Sequence, residues 1–322
     1  MKKIVFLFLS IILIYSYYFK DNISQEFETM NIKLLSDNEV KNNINIDNFK
    51  NIKIGDSKES VIFNIGEPDR IDYSEYNFKW YVYNEDLNKF AMVGIDNDNV
   101  VALYSNGIDS NEIDINLNSS KNNVRNKYTP LEYKRKGNTK YIINSDDQYD
   151  VFYIKKNYVT IFYDIHENNK VCGYQIISKK AESTLNGIYT QGSDNLQKSF
   201  ESQTKDLVNT ERTKNNLNIL YYSDKASKSS RKHSKDMMIK NYFDHTNKKN
   251  ESPFDRMEEE GINYKNAGEN IAAGQSSAIY AHHAWMNSLG HRKNILGNYK
   301  YIGVGVVFGG YYNIYYTQNF YT

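Results

Sequence analysis

The sequence predicts an α+β protein with two folded parts, and three observations carry that prediction. From residue 49 to residue 180 a short helix followed by strand-like runs occurs twice, at a period of about 65 residues. In the last third the pattern changes to helical spacing, with small and apolar residues three and four apart. A polar stretch containing Gly and Ser, residues 181–199, separates the two parts as a linker.

The chain opens with Met1, Lys2 and Lys3 before an apolar run from Ile4 to Phe19, the basic-then-apolar order of an export signal. As a helix at ~1.5 Å per residue the run covers roughly 24 Å, short for a bilayer but sufficient with lysines and tyrosines at its ends. Ser16, Tyr17 and Tyr18 put bulk where a signal peptidase needs a small side chain, so residues 1–20 are expected to persist as a signal anchor. The expected location is therefore the cell membrane, crossed once through residues 4–19 with the bulk of the chain outside; cleavage and secretion is the alternative. Cys172 is the only cysteine, which excludes a disulfide framework and a lipid-bearing cysteine after the apolar run. Between Val171 and Gly173 it reads as a small buried hydrophobe. With 40 basic and 39 acidic residues and a net charge of +1, the chain has no global positive field, and nucleic acid is excluded as a general partner.

Residues 21–48 are polar and read as a linker. In the first repeat, Ser57 opens a helix to Ile65 and Gly66-Glu67-Pro68 stops it. Strands follow at Lys79 to Tyr83, Phe90 to Ile95 and Val100 to Tyr104, with Asp96-Asn97-Asp98-Asn99 as a hairpin turn. The second repeat opens at Asn118-Ser119-Ser120 and stops at Thr129-Pro130. Its strands lie near Tyr141 and at Val151 to Ile154, Val159 to Tyr163 and Val171 to Ile177. Each repeat is expected to form one helix and a small antiparallel sheet. No catalytic cluster is visible in it, and His166, in a polar turn, reads as a solvated surface histidine.

In residues 200–322, Ser223 caps a helix on which Ala226, Ser230, His233 and Met237 share the inward face. His233 is then either a hydrogen-bonded core residue or part of a ligand shell. Lys225, Lys228, Lys232 and Lys235 form a basic stripe on the same helix, by default a solvated face, and otherwise one that meets an anionic cell-wall polymer or lipid. Ser252-Pro253 starts a second helix closed by Gly261, and Ser276-Ser277 starts a third that runs through Trp285 to about Ser288. His245 is thereby placed in the loop after the first of these helices, Glu269 in a Gly-flanked loop before the third, and His291 just past its end. Two imidazoles and a carboxylate suit zinc or another divalent metal, held by His245 and His291 with Glu269 as third ligand or as orienter of a water. The rival reading is that the histidines pin loops without metal. Arg292 and Asn294, beside His291, hold either Glu269, a ligand carboxylate or a loop. His282 and His283 read as packing or surface residues.

These segments occur in a recognisable order: Val208-Asn209 with Glu211-Arg212, His233 to Met237, Tyr242 to His245, Gly268 to Ala272, Trp285 to Arg292, Asn294-Ile295-Leu296, Ile302 to Gly305 and Tyr316 to Phe320. Together they resemble the CAP superfamily in its bacterial, SCP-like form, and the repeated region resembles the N-terminal domain that often precedes it. The resemblance implies a C-terminal α-β-α sandwich and a cleft lined by two histidines and two acidic residues. His245, Glu269 and His291 match three of those positions, while the fourth is Ser288 here. No Ser or Cys nucleophile is paired with a base, so the reading favoured is a surface binding or scaffolding module whose partner is a cell-wall polymer, a lipid or a protein. The alternative is a metal-assisted envelope hydrolase with Glu269 as general base. Lipid or sterol binding, known for some relatives, is a third class.

Overall fold

A computed structural model describes residues 44–322. The expected anchor and nearly all of the first linker lie outside the described residues, among which no helix is long and apolar enough to cross a membrane.

Each repeat starts with a serine-capped helix. The Ser57 side chain accepts from the Ser60 amide at the start of α1 (Lys58–Ile65), and Ser120 accepts from Asn123 at the start of α2 (Lys121–Lys127). The first repeat then supplies β1 (Arg70–Tyr73), β2 (Lys79–Tyr83), β3 (Ala91–Asp96) and β4 (Asn99–Ser105). Asn97 and Asp98 both have positive φ, as a two-residue hairpin turn between right-twisted strands requires. The second repeat supplies the separate hairpin β5 (Tyr133–Lys136) and β6 (Thr139–Ile142), then β7 (Tyr149–Ile154), β8 (Asn157–Asp164) and β9 (Lys170–Ser178).

The two small sheets expected from the repeats are in fact one seven-stranded antiparallel sheet, ordered β1-β2-β3-β4-β9-β8-β7. The last strands of the two repeats pair, from Ala102 with Ile177 to Ser105 with Tyr174. Fusion removes two apolar edges that separate sheets would leave open. The internal duplication is visible in the backbone: Ser57 bridges Asn99 and Ser120 bridges Lys170. The Val100 amide donates to Asp56 O and the Val171 amide to Ser119 O, each at 2.8 Å.

The expected linker 181–199 is shorter than its composition suggests. A single turn, α3 (Lys179–Glu182), flanks it, and Ser193 caps the long helix α4 (Asp194–Lys214). Polarity concealed α4, because its buried face carries Gln203, Asp206, Asn209 and Arg212 beside Leu207 and Val208. After it come β10 (Tyr221–Tyr222), α5 (Asp224–Lys240), α6 (Pro253–Glu259), β11 (Ala267–Ala273), α7 (Ala278–Met286), α8 (Leu289–Ile295), β12 (Tyr301–Phe308) and β13 (Ile314–Tyr321).

The second sheet has the order β10-β12-β13-β11 and is covered on both faces. Ile302, Val304 and Val306 join a core with Phe200, Trp285 and Tyr316. The alternate residues Gly303 and Gly305 face α5, which lies so close that a β-carbon at Gly303 would come within 2.2 Å of the Ala226 carbonyl carbon. This is the α-β-α sandwich.

The two parts pack as one body. Ile279 of α7 and Leu207 of α4 share a core with Trp80, Met92, Tyr104 and Phe162 of the large sheet. Arg70 bridges Asp72 and Asp206, each at 2.7 Å, and Lys205 lies 3.2 Å from Asp206, so the two carboxylates buried at the junction have two cationic partners.

Candidate functional site

The site is assembled on Glu269, which lies in β11 rather than in a loop. A segment with a single β-branched residue gives little strand signal; pairing with β13, where Glu269 faces Asn319, extends it. His245 is in the loop after α5 and His291 lies past the end of α7, both as expected, with His291 inside the short helix α8 that follows. Ser288 precedes α8 as its N-cap residue and makes no side-chain capping bond, so the break between α7 and α8 carries no serine-capping signal in its geometry.

Both oxygens of Glu269 are engaged. Oε1 accepts from His245 Nδ1 at 2.8 Å, and Oε2 accepts from Arg256 Nη2 at 2.7 Å. The glutamate side chain is 1% exposed and the His245 side chain 48%, so the pair spans the boundary between core and solvent. Since an ionised carboxylate only accepts, Nδ1 is the protonated nitrogen of neutral His245 and Nε2 is left with a lone pair. Arg256 also donates through Nη1 to His245 O at 2.8 Å and to Glu251 O at 2.9 Å, fixing the loop as well as the charge.

Arg256 escaped the sequence reading. Its signal was present: Ser252 and Asp255 form a capping box that sets the phase of α6, and Pro253, Arg256 and Met257 then share the buried face. A buried arginine needs a carboxylate partner.

His233 is fully buried and its Nε2 donates to Asp244 O at 3.0 Å. Burial pushes its pKa down to about 4, so it is neutral at neutral pH; its Nε2 lies 3.9 Å from Glu269 Oε1. It is a core histidine behind the carboxylate. His291 has its pKa lowered chiefly by burial and further by His245, which places the two imidazoles within electrostatic reach. Its ring makes no hydrogen bond among the described residues.

The remaining candidates are structural in their contacts. Asn294 donates to Glu269 O at 3.1 Å and to Asn270 Oδ1 at 2.9 Å, and so ties α8 to β11. Arg292, read from sequence as a cleft residue, instead binds Asp164 of the large sheet at 2.8 Å and the Met286 carbonyl; its long side chain finds a carboxylate across the junction that sequence spacing cannot reveal. His166 is exposed, as expected, yet its Nε2 bonds Asn287 O at 3.0 Å across the same junction. His282 and His283 are both buried there, His283 stacked on Phe162 with ring centroids 4.0 Å apart. The lysine stripe is partly neutralised: Lys228 and Lys232 bind Glu260, and Lys225 donates to Gly261 O. Burial raises the pKa of the Cys172 thiol, so it is held protonated.

Among the described residues no three His, Cys, Asp or Glu side chains are arranged to hold a metal together. What the donor set does offer is two imidazoles, one of them oriented by a carboxylate through its far nitrogen, which is the arrangement found behind metal-bound histidines.

Residues 54–188 match the family model described as CAP-associated N-terminal, and residues 205–320 match the model of the Cysteine-rich secretory protein family. The membrane protein YlbC of Bacillus subtilis is 30% identical over 289 residues, covering 83% of this chain and 82% of YlbC. YkwD of the same organism is 51% identical over 112 residues, 34% of this chain and 44% of YkwD. A crystal structure of an extracellular protein containing an SCP domain from Bacillus anthracis matches with a TM-score of 0.71 at 28% identity, over 83% of this chain and 93% of that one.

Proposed function

The chain belongs to the cysteine-rich secretory protein family, with a CAP-associated N-terminal domain ahead of the family domain, and from that premise we propose that it is a cell-surface binding or scaffolding module rather than a hydrolase. The observation that supports this is the double engagement of Glu269. A general base needs a carboxylate oxygen with a lone pair within hydrogen-bond reach of a water. Here Oε1 is taken by His245, Oε2 by Arg256, and the group is withdrawn from solvent. A carboxylate held in this way orients an imidazole and fixes its tautomer.

The cleft's own ligand atoms are then His245 Nε2 and the His291 ring. Imidazole nitrogens are donors of the kind a zinc-like divalent cation takes, with water completing its shell. Such an ion would supply a positive centre for an anionic group of a cell-wall polymer, a lipid headgroup or a protein. The membrane designation of YlbC and the extracellular designation of the Bacillus anthracis protein support attachment through residues 4–19 with the described residues outside the cell.

Calorimetric titration of the full chain with zinc tests the reading. One site per chain is expected, lost in both His245→Ala and His291→Ala and weakened below about pH 6 as imidazoles protonate. No turnover of peptidoglycan or peptides is expected. Robust turnover abolished by Glu269→Gln would establish the hydrolase instead.

A further inference from the structure

An unassigned cavity of about 380 Å³ lies at the junction of the two domains and shares no residue with the His245 cleft. Its volume falls within the range of small-molecule sites, which favour domain junctions. Tyr76 and Tyr149 of the N-terminal domain and Tyr280 of α7 contribute rings to its wall, those of Tyr149 and Tyr280 set edge to face at 5.3 Å.

The polar groups of the wall are unevenly satisfied. Lys134 and Lys136 both pair with Glu182, at 3.1 and 3.0 Å, and Tyr76 donates to the same carboxylate at 2.9 Å. Glu75 has no such partner: it is 5% exposed and makes no hydrogen bond to another residue's side chain. The charges that act on it are Glu182, which opposes its ionisation, and Lys134, which favours it less strongly. Gln275, on the same wall, has a buried amide oxygen with no hydrogen-bond partner. The cavity therefore holds a buried carboxylate whose donor is its own backbone N–H, and an amide oxygen with no donor, beside aromatic rings. A protonated amine supplies what both lack: a positive charge, three N–H donors and an affinity for ring faces.

We propose that this cavity binds a small ligand bearing a protonated primary amine, with the ammonium on Glu75 and Gln275 and its carbon chain against Tyr149 and Tyr280. Burial raises the Glu75 pKa to about 7, so an ammonium ligand that needs the carboxylate ionised binds more tightly as pH rises through that value. The other titratable groups facing Glu75 are Glu182, Lys134, Tyr76, Tyr280 and Tyr316; burial holds all three phenols protonated across the range, and Glu182 is kept ionised by its two lysines.

The test is calorimetric or NMR titration of the full chain with n-butylamine, and with 1-butanol as the uncharged probe of equal length. The expected result is a butylamine affinity at least about tenfold above that of butanol. It should strengthen between about pH 6 and pH 8, lose its preference for the amine in Glu75→Gln, and weaken in Tyr149→Leu without change in the pH profile. Zinc binding at the His245 cleft should be unchanged in both variants. Absence of butylamine binding at about 10 mM, equal affinity for the two probes, or an amine preference that survives a folded Glu75→Gln variant each overturns the proposal.

Discussion

Arg256 and Glu269 form an ion pair at 2.7 Å in which the side chains are 6% and 1% exposed, and this buried contact, rather than the more exposed His245, anchors the cleft. Removing one member strands the other's charge in the core. Arg256→Leu should therefore cost about 3–5 kcal/mol of stability, read as a lower urea midpoint. Adding Glu269→Gln to Arg256→Leu should recover a large share of that loss, because no unpaired charge remains.

The family resemblance implies a second acidic residue at the position of Ser288, which contributes no capping bond that a substitution would break. Ser288→Glu should raise zinc affinity about tenfold, or roughly 1.4 kcal/mol, in the same titration. Unchanged affinity in a folded variant would remove position 288 from the cleft.

Acid should unfold the protein through its buried histidines. Burial lowers the pKa of His282 and of His233 from 6.5 to about 4. For a base with a depressed folded pKa the stabilisation is fully present above the unfolded value and is lost as pH falls toward the folded one, because only the unfolded chain takes up the proton. Each residue can contribute up to about 3 kcal/mol of that loss near pH 4. Urea midpoints measured from about pH 7 to pH 4.5 should fall steadily, and His282→Gln should flatten the decline.

A β-carbon at Gly305 would approach the Arg231 amide nitrogen to 2.1 Å and the Ser230 carbonyl carbon to 2.3 Å. Backbone cannot step aside as a flexible side chain can. Gly305→Ala should thus cost at least about 1–3 kcal/mol, seen as a lower Tm, while Gly290→Ala, which meets nothing within 4 Å, should not.

Much of the fold was legible where local chemistry sets it. Ser57, Ser120, Ser223 and Ser252 cap the helices expected of them, and the Asn97-Asp98 turn joins the strands expected of it. What sequence could not supply was pairing at a distance. The joining of β4 to β9, the strand around Glu269 and the Arg292 contact with Asp164 all depend on partners far along the chain. The candidate site divides in the same way. His245 and Glu269 do meet, but the partner that decides what Glu269 can do, Arg256, was concealed because a lone arginine carries no motif.

Helix α7 serves two cores at once: Ile279 is buried with the large sheet and Trp285 with the small one, while His283 stacks on Phe162 of the other domain. In such a molecule the domains are not free to diverge separately. A substitution on β8 that alters the surface offered to His283 changes the seat of a helix that also carries Trp285, which donates to Ile271 O two residues along from Glu269. Drift in the repeated domain is therefore filtered by its effect on the cleft domain. A graft of the family domain onto an unrelated partner would inherit a helix face adapted to a neighbour it no longer has.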